Sequence, residues 1–388
     1  MGLLAIGYSA VTRSLAITLA KGDPVAALAV SRSDARVMAR ASQTMLEAAK
    51  TDRDRQGADE LARAALARDA TAVPAVTTAG LVAGLADKDA DSAKWFAYSE
   101  RLSRRDVRTQ LYFIEQAVSD GNIAEALRHY DVALRTSDES APTVLYPVLR
   151  GAIADEPVRR ELAKTLARNP LWASAFIGDL AAKGPDFAAV AALFVDARRR
   201  GAIVAASSDA ALLTNLVVKG QILVAWNYYL ATHPGADRVL VRNATFSADK
   251  QGSFPFDWQI VAGDGISASL GAGDNGQSLE YHLSPTVGGA VISQMLLLNA
   301  GRYQLSANLT AASQNVGAGP YWDMKCADGR PIGTLEMGGP LDNPKTFSVD
   351  VTVPPNCPAQ LLTLIARSSD DVQGATGQLA SVSLRRAQ

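Results

Sequence analysis

The chain has 388 residues, a formal net charge of −1 and 48% hydrophobic residues, much of it alanine. That length suffices for two cores of ordinary domain size. The near-neutral balance excludes sequence-independent nucleic-acid binding, which needs a basic surface.

The first 21 residues are apolar, with Leu3, Leu4, Ala5, Ile6 and Tyr8 ahead of the first charge, Arg13. The run is too short to span a bilayer. It lacks the positive n-region of a signal peptide. Two compatible readings remain: the remnant of a membrane anchor, or the first helix of the helical region beginning at residue 22.

Residues 22–236 are rich in Ala, Leu and Arg at helical spacing. Two segments align within them, 121–130 (GNIAEALRHY) and 220–229 (GQILVAWNYY). They share Gly121 and Gly220, Ala126 and Ala225, and Tyr130 and Tyr229 at equal offsets. Their separation is 99 residues, three times 33, the period of a helix–turn–helix repeat. The glycine permits a tight turn after the first helix. The small alanine allows close helix approach, and the aromatic four residues on lies on the same face. Ala93, 33 residues before Ala126, is a weaker match. Arg198, Arg199 and Arg200 read as a solvated helix C-terminus favoured by the macrodipole. His129 and His233 have no nucleophile or carboxylate constellation around them and read as structural.

Near residue 238 the pattern changes to period two, with Gly, Ser, Asn, Thr and Val dominant. Strands are expected at 239–243, 258–261, 266–270, 278–283, 291–298, 303–309, 321–326, 347–353, 361–366 and 379–384. A turn is expected at 271–276, and no helix follows it, so it is no phosphate cradle. So many short strands in 150 residues imply an antiparallel double sheet. The only cysteines, Cys326 and Cys357, sit beside turn residues in this half. They read either as a disulfide, implying an oxidising compartment, or as two buried thiols. No metal-ligand spacing and no cofactor motif occurs.

Sugar binding calls for aromatic faces that stack on pyranose rings and planar polar groups that pair with hydroxyls. The candidates are Phe254, Phe256, Trp258, Tyr281, Tyr321 and Trp322, with Asp257, Glu280, Gln294, Asn308 and Asp323 as polar partners. Each aromatic has a competing reading as core. Phe254 and Phe256 flank Pro255 in an expected loop, which favours an exposed rim at one of them. Glu280 and Asp323 are the carboxylates a glycosidase reading would pair.

Residues 22–236 resemble the tetratricopeptide repeat family through the Gly/Ala/Tyr positions above. The resemblance implies about six degenerate helix pairs in a solenoid that docks protein partners. Residues 238–388 resemble the jelly-roll carbohydrate-binding modules, through the order of 243–246, 255–258, 298–303, 322–329 and 380–384. Ala380 and Ser381 stand where that family has an acidic residue, so no calcium site is expected. The expected fold is therefore multidomain: an apolar N-terminal helix (1–21), an all-α helical-repeat solenoid (22–236) and an all-β jelly-roll sandwich (238–388). The combination resembles exopolysaccharide-associated envelope proteins of alphaproteobacteria. That implies a non-catalytic, periplasmic, inner-membrane-anchored adaptor, with its solenoid on a protein partner and its sandwich on polysaccharide. A purely structural scaffold is the rival, and burial of Phe256, Trp258 and Trp322 is its mark.

Overall fold

A computed structural model describes residues 18–20, 22–136, 140–233, 240–248, 254–261, 263–271, 277–313, 319–338 and 343–387. The apolar segment 3–8 and most of the turn expected at 271–276 lie outside the described residues. A short helix α1 (Pro24–Val30) precedes six helix pairs. These are α2 (Ala35–Ala48) with α3 (Asp52–Leu66), α4 (Val73–Leu85) with α5 (Asp89–Leu102), α6 (Val107–Ser119) with α7 (Ile123–Thr136), α8 (Ser140–Ala152) with α9 (Glu156–Leu166), α10 (Ala173–Lys183) with α11 (Phe187–Arg199), and α12 (Ala206–Val218) with α13 (Ile222–Thr232). Three residues separate the helices within every pair, and the last four pairs begin at 107, 140, 173 and 206, a step of 33. Among the described residues no helix is long and apolar enough to cross a membrane.

Three of the six turns share one backbone solution. Asp87, Gly121 and Gly220 each occupy the middle position with φ of 55°, 67° and 72°. The following residue then donates back into the first helix: Lys88 to the Ala83 carbonyl, Asn122 to Ala117 and Gln221 to Leu216. This satisfies carbonyls the helix end leaves open. A Cβ at Gly121 would meet nothing within 4 Å, so only the left-handed backbone resists a side chain there. Gly121→Ala is expected to cost about 1 kcal/mol. Gly151→Ala, also in open space but on helical backbone, should leave stability unchanged or raise it. Urea unfolding of the two variants side by side checks the pair.

Ala126, Tyr130, Ala225 and Tyr229 are all buried. Ala93 is exposed, which corrects its alignment. Helix α5 starts 34 rather than 33 residues before α7, so buried Ser92 takes the place corresponding to Ala126. His129 is buried, with Nδ1 2.8 Å from Gln110 Oε1 and its ring stacked on Phe113 at 4.9 Å. Burial, then the adjacent Arg128 cation, lower its pKa.

The β half holds two antiparallel five-stranded sheets. One has the order β1 (Gln259–Ile260), β4 (Gly289–Leu296), β9 (Gln360–Ala366), β6 (Tyr321–Cys326), β7 (Pro331–Glu336). The other runs β2 (Ile266–Leu270), β3 (Leu279–Leu283), β10 (Ala375–Arg386), β5 (Gly301–Ala312), β8 (Lys345–Val353). Both donate every second side chain to one core, centred on Phe246, Trp258 and Trp322. Cys326 and Cys357 form a disulfide with Cα atoms 5.5 Å apart.

Two expectations need correction. Residues 240–245 are bend and turn, not strand. Asn243 takes a left-handed φ of 49°, and its side chain binds both the N–H and the carbonyl of Ser247, curling the chain. Strand β7 was not expected. Pro331 opens it and Gly333 interrupts its apolar pattern, both tolerated because β7 is an edge strand.

The chain forms two compact units, residues 1–176 with 196–203, and 177–195 with 204–388. The last helix pair therefore belongs with the sandwich. Within that unit Trp226 on α13 packs edge-on against Phe256 at 5.0 Å. The Arg242 guanidinium lies over both rings, 5.1 Å from Trp226 and 5.9 Å from Phe256.

Candidate functional site

Alternation decides what each strand presents outward. In β2, Ile266, Ala268 and Leu270 turn inward while Ser267 and Ser269 are exposed. In β3, Leu279, Tyr281 and Leu283 are buried, leaving Glu280 and His282 outside. In β10, Thr376 and Gln378 share that outer side. Strand register then sets them in rows. Ser269, Glu280 and Gln378 are cross-strand neighbours, as are Ser267, His282 and Thr376.

These six side chains line an open cleft of about 490 Å³ on the outer face of the second sheet. Its floor is a connected polar network. Gln378 Nε2 donates to Glu280 Oε1 at 2.9 Å, and Thr310 on β5 donates to Gln378 Oε1 at 3.1 Å. Thr310 also binds the Gln378 carbonyl at 2.9 Å. The register of β10 against β5 shifts between Gln378 and Ser381, a bulge that bends the strand beside the cleft. Gly377, between Thr376 and Gln378, admits no side chain because a Cβ would collide with the Tyr281 hydroxyl. Chemically the surface offers hydroxyls, one amide, one carboxylate and one imidazole, in fixed positions on a rigid sheet. It can bind a hydroxyl-rich ligand laid across the strands.

The residues singled out for sugar stacking do not assemble into a platform. Phe256, Trp258 and Trp322 are 0, 2 and 0% exposed. They are core, and a buried ring has no face to give a sugar. Tyr281 is buried over Gly377, and burial raises its hydroxyl pKa. Gln294 is fully buried, its amide spent on the backbone N–H and carbonyl of Arg242 at 2.9 and 3.0 Å. Asp323 is buried on the outer side of β6 and paired with Lys325 at 2.7 Å. Phe254 is half-buried, its ring edge-on to His233 and Tyr229 at 4.6 and 5.9 Å. Asp257 is half-buried too, accepting from the Tyr229 hydroxyl at 2.7 Å. Burial, then that bond, raise the Tyr229 pKa. Tyr321 is half-buried beneath the Arg367 guanidinium at 4.4 Å, and Arg367 pairs with Glu336 at 2.8 Å.

Glu280 and Asp323 lie in different sheets and on opposite outer faces, so they do not flank a common bond. Of the polar candidates, Glu280 enters the cleft. Asn308 lies on the same outer face, its Nδ2 3.5 Å from Thr346 Oγ1. Gln378, Thr376, Ser267 and Ser269 are not singled out by sequence, because an aromatic criterion for sugar binding passes over them. The signal for them was the polar half of the same two-residue alternation.

No protein-family model matches the chain, and no curated protein matches it. Solved structures do. One is a family 61 carbohydrate-binding module in complex with β-1,4-galactotriose, at 12% identity over 39% of this chain and 100% of that one, with a TM-score of 0.28. Another is the CBM22-1 xylan-binding domain of Paenibacillus barcinonensis Xyn10C, at 12% identity over 37% of this chain and 92% of that one, TM-score 0.26. A third is PilW, a type IV pilus biogenesis factor, at 14% identity over 52% of this chain and 94% of that one, TM-score 0.24. At these TM-scores the likenesses carry no argument about this chain.

Proposed function

We propose that this protein is a non-catalytic envelope adaptor whose sandwich holds polysaccharide across the β2–β3–β10 cleft while its helical array docks a protein partner. The observation that carries the reading is the connected row Ser269, Glu280, Gln378 and Thr310 on an open sheet face. Such a row pairs with successive hydroxyls of an extended chain. The disulfide fits an oxidising compartment such as the periplasm. An array of helix pairs, the last four at a 33-residue step, is a scaffold for extended partner surfaces. Exopolysaccharide assembly or export, with the N-terminal segment at the inner membrane, is the setting in which these parts act together.

The test is calorimetric titration of the full chain with neutral and acidic bacterial polysaccharides, repeated on Glu280→Ala/Gln378→Ala. Saturable binding that weakens at least about tenfold in the double variant supports the reading. Binding by neither protein leaves the rival, a purely structural scaffold. Burial of Phe256, Trp258 and Trp322 favours that rival, because the sandwich then has no stacking platform.

A further inference from the structure

The chain contains five tryptophans. Four are buried: Trp172, Trp226, Trp258 and Trp322 are 5, 4, 2 and 0% exposed. Trp95 alone is half-exposed, and it lies on the helical array rather than the sandwich.

Trp95 lines a cavity of about 490 Å³ built from three helices of one compact unit. Asp59 and Arg63 face it from α3, one turn apart. Asp91, Lys94, Trp95 and Tyr98 face it from α5 at the spacing of a single helical face. The C-terminal end of α4 supplies Val82, Ala83 and Ala86 as an apolar floor, and Lys88 projects from the turn after it.

The polar groups are only partly satisfied. Arg63 pairs with Asp59 Oδ2 at 2.6 Å, and its guanidinium lies 5.9 Å from the centre of the Trp95 ring. The other Asp59 oxygen, Oδ1, is buried without a hydrogen-bond partner. Lys94 pairs with Asp91 at 3.1 Å. Lys88 is the one lining cation with no ion pair among the described residues. The Trp95 indole N–H likewise has no acceptor among them. The Tyr98 hydroxyl is held by the Ala70 carbonyl at 3.0 Å, which fixes its ring as a wall.

Two carboxylates face three ammonium or guanidinium groups, so the lining carries one excess positive charge. An indole donor without a protein acceptor, an aromatic face and one uncompensated cation occur in a single cavity. A pyranose ring with a carboxylate substituent answers all three. Its C–H face covers the indole, one hydroxyl accepts from the Trp95 N–H, and its carboxylate meets Lys88. We infer that the α3–α5 cavity is a second saccharide site, selective for acidic sugars, on the helical array. A polyglutamate peptide would use the cation but has no ring to cover the indole face.

The site is independent of the sandwich cleft, and its own chromophore reports on it. The full chain is titrated with oligogalacturonate, a neutral malto-oligosaccharide of equal length and pentaglutamate, following tryptophan emission and acrylamide quenching. Because four indoles are buried, a change in quenching reports Trp95. Calorimetry repeats the titration on Lys88→Ala, an exposed change that should leave the fold intact, and on Trp95→Ala. The expected result is saturable protection of the indole by oligogalacturonate only, with affinity at least about tenfold lower in each variant. Glu280→Ala/Gln378→Ala should leave this protection unchanged, which separates failure here from failure of the sandwich reading. Three results overturn the inference: no protection by any saccharide, equal protection by the neutral oligomer, or equal binding of pentaglutamate.

Discussion

Replacing Arg242 with alanine is expected to destabilise the sandwich-bearing unit by about 3 kcal/mol or more. Arg242 is half-buried where the last helix meets the sandwich. Nε donates to the Phe256 carbonyl and a terminal nitrogen to the Met295 carbonyl. Its plane lies over Trp226 and Phe256. Burial lowers its pKa to about 10, so it remains a cation at neutral pH. Alanine strands two carbonyls, removes the stacking and opens a hole between two aromatic rings. Arg242→Met fills the space without the donors and should recover only the packing share. Urea unfolding followed by tryptophan fluorescence measures all three proteins. A loss under about 1 kcal/mol for the alanine variant would mean that the Arg242 donors add little to the join between α13 and the sheet.

The second large effect is expected at the disulfide. The Cys326–Cys357 bridge closes a span of 31 residues and is the only covalent link between distant parts of this chain among the described residues. By chain entropy a loop of this size contributes about 3.5 kcal/mol. Both sulfurs are buried, and the surrounding backbone is fastened to the same place. Gln360 donates to the Cys357 carbonyl at 2.6 Å and accepts from the Leu298 N–H at 2.8 Å. Cys326→Ala/Cys357→Ala should therefore shift the urea midpoint strongly under oxidising conditions. The same shift should appear in the unmodified chain once a reductant has opened the bridge. Matching midpoints for all three samples would show that the closed loop adds nothing.

Much of the architecture was legible because it is written locally. A left-handed residue between two helices, followed at fixed distance by a small residue and an aromatic, needs only neighbours in sequence to be recognised. Gly121 and Gly220 carry that signal plainly, whereas Asp87 hides it, since aspartate adopts the same backbone less often. The alternation in 303–309 likewise announces a two-faced strand before any partner is known. Edge strand β7 was silent for the opposite reason: proline and glycine erase the pattern wherever a strand has one free side.

The candidate site was harder to read. An aromatic residue in a strand has the same signature whether its ring fills a core or greets a ligand. Trp258 and Trp322 went inward because two sheets face one another and the largest rings fill the space between them. Trp95 stayed half-exposed on the wall of a cavity beside the end of α4. Neither outcome depends on the residues beside these tryptophans in sequence.

By itself, then, the amino-acid sequence determined the two secondary-structure regimes, the 33-residue step of the helix pairs and the in-and-out order of the strands, since each depends on contacts a few residues apart. Tertiary structure alone decided which rows of polar side chains became neighbours across β2, β3 and β10, that the two cysteines met, and that Arg242 would bind the last helix pair to the sandwich. Those outcomes rest on register and burial, which bring together groups such as Glu280 and Gln378, 98 residues apart.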